Sequence, residues 1–327
     1  NRKYNLVEEE IKKEIKKSNE QLNILNYYLQ ILEDSKELLT NYLNDDNFSI
    51  QNVNEIETKN EKLIRAKKIY LDFDTYGYTK DYLNEVVEQY NDFINYHFNI
   101  DFNGRTTNDD IYDFYDTSYG DPNVRNIKDS ESHSTHVSGI ISGNRQNESG
   151  SKGINNLVEI MALRAIPNGD EYDKDVARAI RYAVDNGAKI INGSFGKYFS
   201  SNPEWVIDAI RYASENNVLV VAAAGNESKD LDSISNDNYP NDQFFNKDEF
   251  SDTFIKVGAS SINLDENFTA YFSNYGKINV DIFAPGVDIF SSMPGNKYKS
   301  QSGTSMASPV VAGIASLIMS YFPKLSA

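Results

Sequence analysis

From about residue 155 onward, short apolar and β-branched runs alternate with amphipathic helical stretches, and this alternation restricts the chain to few folds. The spacing predicts strands at VEIMALRAI (158–166), AKIINGSFG (188–196), VLVVAAAGN (218–226), FIKVGAS (254–260) and INVDIFAP (278–285). It predicts helices at DKDVARAIRYAVDNG (173–187), at PEWVIDAIRYASENN (203–217) and after Gly303. Strands alternating with helices form a mainly parallel sheet covered on both faces. Sites in such sheets lie at the carboxyl ends of the strands, which directs attention to the loops GSFG, AAGN and SGTS.

The first hundred residues follow another period. Ile11, Ile15, Ser18, Leu22, Leu25, Leu29 and Leu32 repeat at alternating intervals of four and three, so residues 6–43 read as one long helix. NDDNFS (44–49) interrupts it, and apolar residues at 63, 66, 69 and 73, then from 82 to 94, predict two further helices. We therefore expect a helical hairpin or small bundle over residues 1–100 and an α/β domain over 101–327. The latter reads as cropped, because the chain opens on Asn1 and stops at Ala327 just after a strong helix.

The net charge of −17 argues against binding nucleic acid, which needs clustered Lys and Arg against phosphate. With no cysteine there is neither a thiol nucleophile nor Cys-ligated zinc. The longest apolar stretch, Val310 to Tyr321, is shorter than a membrane span, and no charged-then-apolar leader opens the chain.

Within SGTSMASP, Ser305 sits where a glycine-rich turn enters an apolar helix. Unpaired backbone N–H groups and the positive end of the helix dipole can stabilise a developing oxyanion there. A serine hydroxyl becomes a nucleophile only when a base takes its proton, and histidine does so near neutral pH. The candidates are His97, His133 and His136. His97 ends the helical region, and His136 lies one turn beyond His133, facing the core. Asn226 follows an apolar strand run in VVAAAGNES, where its amide could donate to the oxyanion. The structural alternatives are a helix cap for Ser305 and a turn former for Asn226. Every histidine precedes Ser305, opposite to the order of nucleophile-elbow hydrolases, and the strand–helix alternation does not fit trypsin-like β-barrels.

HSTHVSGI, VVAAAGNES and SGTSMASP, in this order, resemble the subtilisin-like serine proteases, the subtilase family, over roughly residues 129–323. INGSFG is similar to that family's substrate-binding strand, and YFSNYG (271–276) and FAPGVDIFSSMPGNKY (283–298) to the segments leading to the serine. The resemblance implies a subtilisin-like three-layer α/β sandwich with a mainly parallel central sheet. It implies a serine endopeptidase acting through an acyl-enzyme, with His133 as general base and acid and Ser305 as nucleophile. Asn226 and the Ser305 N–H would form the oxyanion hole. Ser194, Phe195 and Gly196 would pair with the polypeptide substrate as an added strand, and Ala223, Ala224 and Gly225 would line the pocket for the side chain before the cut. A helical insertion before the histidine resembles a group of bacterial subtilases. The resemblance further implies a secreted or cell-envelope location, no required cofactor, and calcium only as a possible stabiliser. SKDLDSISNDN (228–238) is the acidic candidate for calcium, with a solvated loop as the alternative; no metal ligand is assigned.

The family's aspartate, followed by Ser or Thr and then Gly, has no counterpart before His133. Asp74 in IYLDFDTYGYT is the nearest imitation, but the helical period continues on both sides of it. We expect the aspartate on a strand preceding Asn1, with residues 1–100 inserted between it and His133. The alternative is a non-catalytic peptide-binding or adhesion relative. Two further departures are Ser134, where the family has glycine, and Gly193, where a larger apolar residue is common.

Overall fold

The computed structural model describes residues 2–102, 107–125, 131–146, 148, 150–166, 171–233, 235–243, 248–263, 265 and 268–327, without the side chains of 2–6, 81 and 85. The chain divides into two compact units, Asn1–Gly104 and Arg105–Ala327.

In the first unit, helix α1 (Arg2–Leu43) packs against α3 (Glu61–Thr75) and α4 (Lys80–Asp92), and a short α2 (Ile50–Asn54) packs on α3. Ser18 and Leu32 are buried along the seam that the four-and-three spacing predicts. Leu39, Val53, Ile56 and Ala66 form the core below them. Helix starts follow capping chemistry: the Ser49 and Asn60 side chains accept backbone N–H groups of α2 and α3, and Thr79 does so for α4. His97 closes a π-helical turn, Phe93–His97, with its ring against Phe93.

The second unit holds a four-stranded parallel sheet in the order β1 (Ile190–Gly193), β2 (Leu219–Ala223), β3 (Phe254–Ser260), β4 (Ile282–Pro285). Side chains alternate across it as strand geometry requires. Val220 and Ala222 face the core shared with α6 (Asp173–Asp185) and α7 (Pro203–Glu215). Leu219 and Val221 face the opposite core, shared with α8 (Thr304–Tyr321). Helix α5 (His133–Ser142) packs on α8 and on β5 (Ile289–Met293), which pairs with β6 (Lys297–Gln301) as an antiparallel hairpin. Its turn, Pro294-Gly295-Asn296, has positive φ at Gly295 and Asn296.

One predicted strand is not formed. Residues 158–166 make no ladder and leave Ile160, Met161 and Leu163 exposed. The outer edge of β1 likewise has no strand beside it among the described residues. A β-run becomes a strand only when a neighbour takes its backbone hydrogen bonds, and among the described residues this run has none. Helix α8 is long and apolar enough to cross a membrane, yet half of it is buried inside the unit.

A lysine fills the sheet's side nearest the 238–242 loop. Lys256 is buried, its ammonium donating to Asn238 Oδ1 at 2.8 Å and to the Pro240 carbonyl. Loss of solvent lowers its pKa to about 7 and raises that of buried Asp242 to about 7.

Candidate active site

Ser305 is the second residue of α8, and Pro309 lies inside the same helix. A proline has no N–H for the carbonyl four residues earlier, so the Ser305 carbonyl lacks its helical donor. The Ser194 hydroxyl supplies one at 2.9 Å, and the Ser305 hydroxyl donates in return to the Ser194 carbonyl at 3.2 Å. Asn192 at the end of β1 steadies this exchange, donating to Ser194 Oγ at 2.9 Å and accepting from Ser308 Oγ at 2.6 Å. Ser305 and Ser194 thus meet where β1 ends and α8 begins.

Asn226 arrives from the carboxyl end of β2. Gly225 before it has φ of 100°, and a Cβ there would come 2.4 Å from Asn274 Nδ2, so only glycine fits. Asn226 Oδ1 accepts the Thr304 N–H at 2.8 Å and the Thr304 hydroxyl at 3.0 Å, while Thr304 Oγ1 accepts the Gly225 N–H at 3.0 Å. These bonds engage the oxygen end of the amide. Its Nδ2 has no protein partner among the described residues and lies 3.5 Å from where a Cβ on Gly303 would stand, beside the Ser305 turn.

His133 opens α5, whose Val137 shares an apolar cluster with Met306, the neighbour of Ser305. The two helices pack together, with His133 the first residue of α5 and Ser305 the second of α8. His133 is exposed, yet partial desolvation first, then the neighbouring His136, lowers its pKa below 6.5. It makes no hydrogen bond to Ser305 and none to any described carboxylate. The acid nearest in sequence, Glu131, is engaged by Arg164 at 2.9 Å, which also ties the unpaired 158–166 run to the start of α5. His136 is fully buried, with Nε2 at 3.0 Å from the Lys299 carbonyl of β6.

Among the substrate-binding candidates, Ser194 to Gly196 continue past β1 without ladder partners among the described residues, and Lys197 pairs with Tyr239 beyond them. Phe195 turns toward the core rather than a pocket, and a Cβ on Gly193 would come 3.3 Å from its ring. This ring occupies the space that a larger residue at 193 would fill. Ala223 and Ala224 are buried, and Gly225 follows them at the end of β2. Ser134 lies in helical backbone without positive φ, so no glycine is required there. Asp74 is an exposed residue of α3, not the end of a strand.

In the 228–238 loop, the carboxylates of Asp230 and Asp232 are engaged by the protein itself. The Asp232 carboxylate already accepts the N–H groups of Lys277, Ile278 and Asn279, which lower its pKa. Among the described residues, no three acidic or histidine side chains gather around a point that could hold an ion.

Thr304, Asn192, Glu227 and Asn274 escaped the sequence reading. They act through contacts between distant segments and leave no local pattern; for the Ser194 bond to the Ser305 carbonyl, Pro309 four residues on was the available signal.

A parallel sheet whose β1 and β2 carboxyl ends lead, through Ser194 and Asn226, to the start of α8 at Thr304 and Ser305 is the arrangement of a subtilisin-like fold. The chain belongs to the subtilase family, whose model matches residues 40–327. It is 40% identical over 211 residues to a thermophilic serine proteinase of Bacillus sp. (strain AK1), covering 64% of this chain and 46% of that protein. It is 36% identical over 210 residues to an intracellular serine protease of Paenibacillus polymyxa, covering 63% of this chain and 58% of that protein. The chain thus spans about half the length of these relatives. The S41 psychrophilic protease structure matches with a TM-score of 0.53 at 29% identity, over 64% of this chain and 69% of that one.

Proposed function

We propose that this chain carries the serine half of an endopeptidase that cuts polypeptides through an acyl-enzyme. The observation behind this reading is the Asn226 amide, held by Thr304 so that its free N–H end stands beside Ser305 at the positive end of α8. In the reaction, the Ser305 hydroxyl leaves the Ser194 carbonyl and gives its proton to His133 as its oxygen bonds the substrate carbonyl carbon. Asn226 Nδ2 and the Ser305 N–H receive the negative oxygen. His133 then passes the proton to the leaving amine, and water, activated by the same histidine, releases the acyl group. Substrate backbone pairs along Ser194 to Gly196 as an added strand, with residues 223–225 lining the adjoining pocket.

His133 still needs a carboxylate to orient it. We propose that this arrives on a strand outside residues 1–327, seated along the open edge of β1, where it would also give residues 158–166 a partner. The second reading, a non-catalytic peptide-binding relative, draws on one observation: Ser305 is bonded to Ser194 and not to His133. Ser305→Ala in the whole protein separates the two. Endopeptidase function predicts loss of hydrolysis and of covalent labelling by a sulfonyl fluoride, with His133→Ala adding almost nothing, because the triad acts as a unit. Unchanged hydrolysis, or a parent that never labels, would refute it. A relative in Paenibacillus polymyxa is intracellular, so the secreted or cell-envelope location is a proposal that fractionation of the producing cells tests.

A further inference from the structure

Glu227 is exposed, yet one of its oxygens collects donors from three segments. It accepts the Asn226 backbone N–H at 2.9 Å, Asn274 Nδ2 at 3.1 Å, and the Tyr198 phenol. Tyr198 stands two residues past Gly196, on the segment that begins as the substrate edge. Asn274 closes the circuit: Nδ2 also contacts the Tyr198 oxygen at 2.8 Å and the Ala224 carbonyl at 2.7 Å. Its Oδ1 accepts the N–H groups of Glu227 and Lys229, and its own N–H donates to the Gly225 carbonyl. The Lys229 ammonium lies over the Tyr198 ring at 3.7 Å. Burial first, then the bond to Glu227, raises the phenol pKa, so Tyr198 stays protonated and remains a donor.

We propose that Tyr198 and Glu227 are positioning residues that tie the substrate edge to the Asn226 backbone and so set where Asn226 Nδ2 meets the substrate's carbonyl oxygen. This rests on the oxyanion reading of Asn226. Thr304 holds the side-chain end of that residue and Glu227 holds its backbone. With both anchors the N–H direction is determined; with one, the residue can rotate about the other. A misplacement near 1 Å costs about 10² in rate, so a small rotation is enough to matter.

The test compares Tyr198→Phe, Asn226→Leu and the double variant in the whole protein, by steady-state kinetics on a peptide substrate and by Tm. Tyr198→Phe should lower kcat about tenfold, with KM changed less than about twofold and Tm nearly unmoved. In the Asn226→Leu background it should cost nothing further, because the group it positions is gone. Glu227→Gln, which keeps an acceptor oxygen, should retain more kcat than Glu227→Ala. Equal losses with and without Asn226, a rise in KM alone, or a fall in Tm with kcat intact would overturn the positioning role and leave the function reading standing. An Asn226→Leu enzyme with normal kcat would instead remove the oxyanion reading, and this inference with it.

Discussion

At the scale of single residues, the pair Ser194 and Ser305 shows how a helix defect becomes part of a site. Pro309 frees one carbonyl, the Ser194 hydroxyl takes it, and the Ser194 carbonyl then holds the Ser305 proton. Asn226 offers the sharpest residue-scale test. Asn226→Leu should lower kcat by about 10²–10³, the factor lost when the oxyanion asparagine is removed from a subtilisin, while KM changes little. A turn former would instead lower Tm and leave kcat intact, so kinetics and melting on one variant separate the roles. Ser305, His133 and Asn226 were singled out in the sequence because each sits in a contiguous motif with its own local chemistry. Thr304, Asn274 and Glu227 were not, since their meaning comes from partners dozens of residues away.

Among the elements, β2 and β3 were readable because both are buried on both faces, β2 as an unbroken apolar run and β3 as one broken only by Lys256 before its closing serine. Residues 158–166 carry an equally apolar run and form no strand, because periodicity records what a segment can do and not whether a neighbour is present. The β5–β6 hairpin went unread although Pro294-Gly295-Asn296 is a turn signal, since its flanks are short and half exposed. That hairpin fits closely against α5. A Cβ on Gly139 would come 2.2 Å from Ser292 Oγ and 2.4 Å from Ser291 Oγ, and both hydroxyls donate to carbonyls of α5. Gly139→Ala should therefore push the hairpin away and cost about 1–3 kcal/mol in urea unfolding. An unchanged midpoint would mean that the two serines rotate aside freely.

Across the whole molecule, buried titratable groups pull stability in opposite directions with pH. Burial lowers the His136 pKa below 6.5, against a smaller opposing effect of the Lys299 and Ile289 carbonyls. Above pH 6.5 the folded and unfolded rings are both neutral. Just below it the unfolded ring takes a proton that the folded ring refuses, so stability falls as pH drops through the window down to the folded pKa. Asp242, Glu249 and Asp281 have raised pKa values and act in the other sense, binding protons more tightly when folded. The parent curve mixes the two, but its difference from His136→Gln isolates the histidine. Between pH 6.5 and 5.5 the parent should lose up to about 1.0 kcal/mol more than the variant. Parallel curves would show that His136 is protonated in the fold as easily as outside it.

The same view over the whole molecule gives the outer edge of β1 a physical cost. Ile190 to Gly193 present a row of backbone donors and acceptors with no ladder on that side among the described residues, and the run from Leu157 to Leu163 exposes apolar side chains. Such an edge is adhesive: any extended chain that meets it can add a strand. Copies of residues 1–327 held together in solution would find each other's edges, so for this stretch of chain solubility is governed by concentration and by whatever occupies that edge first.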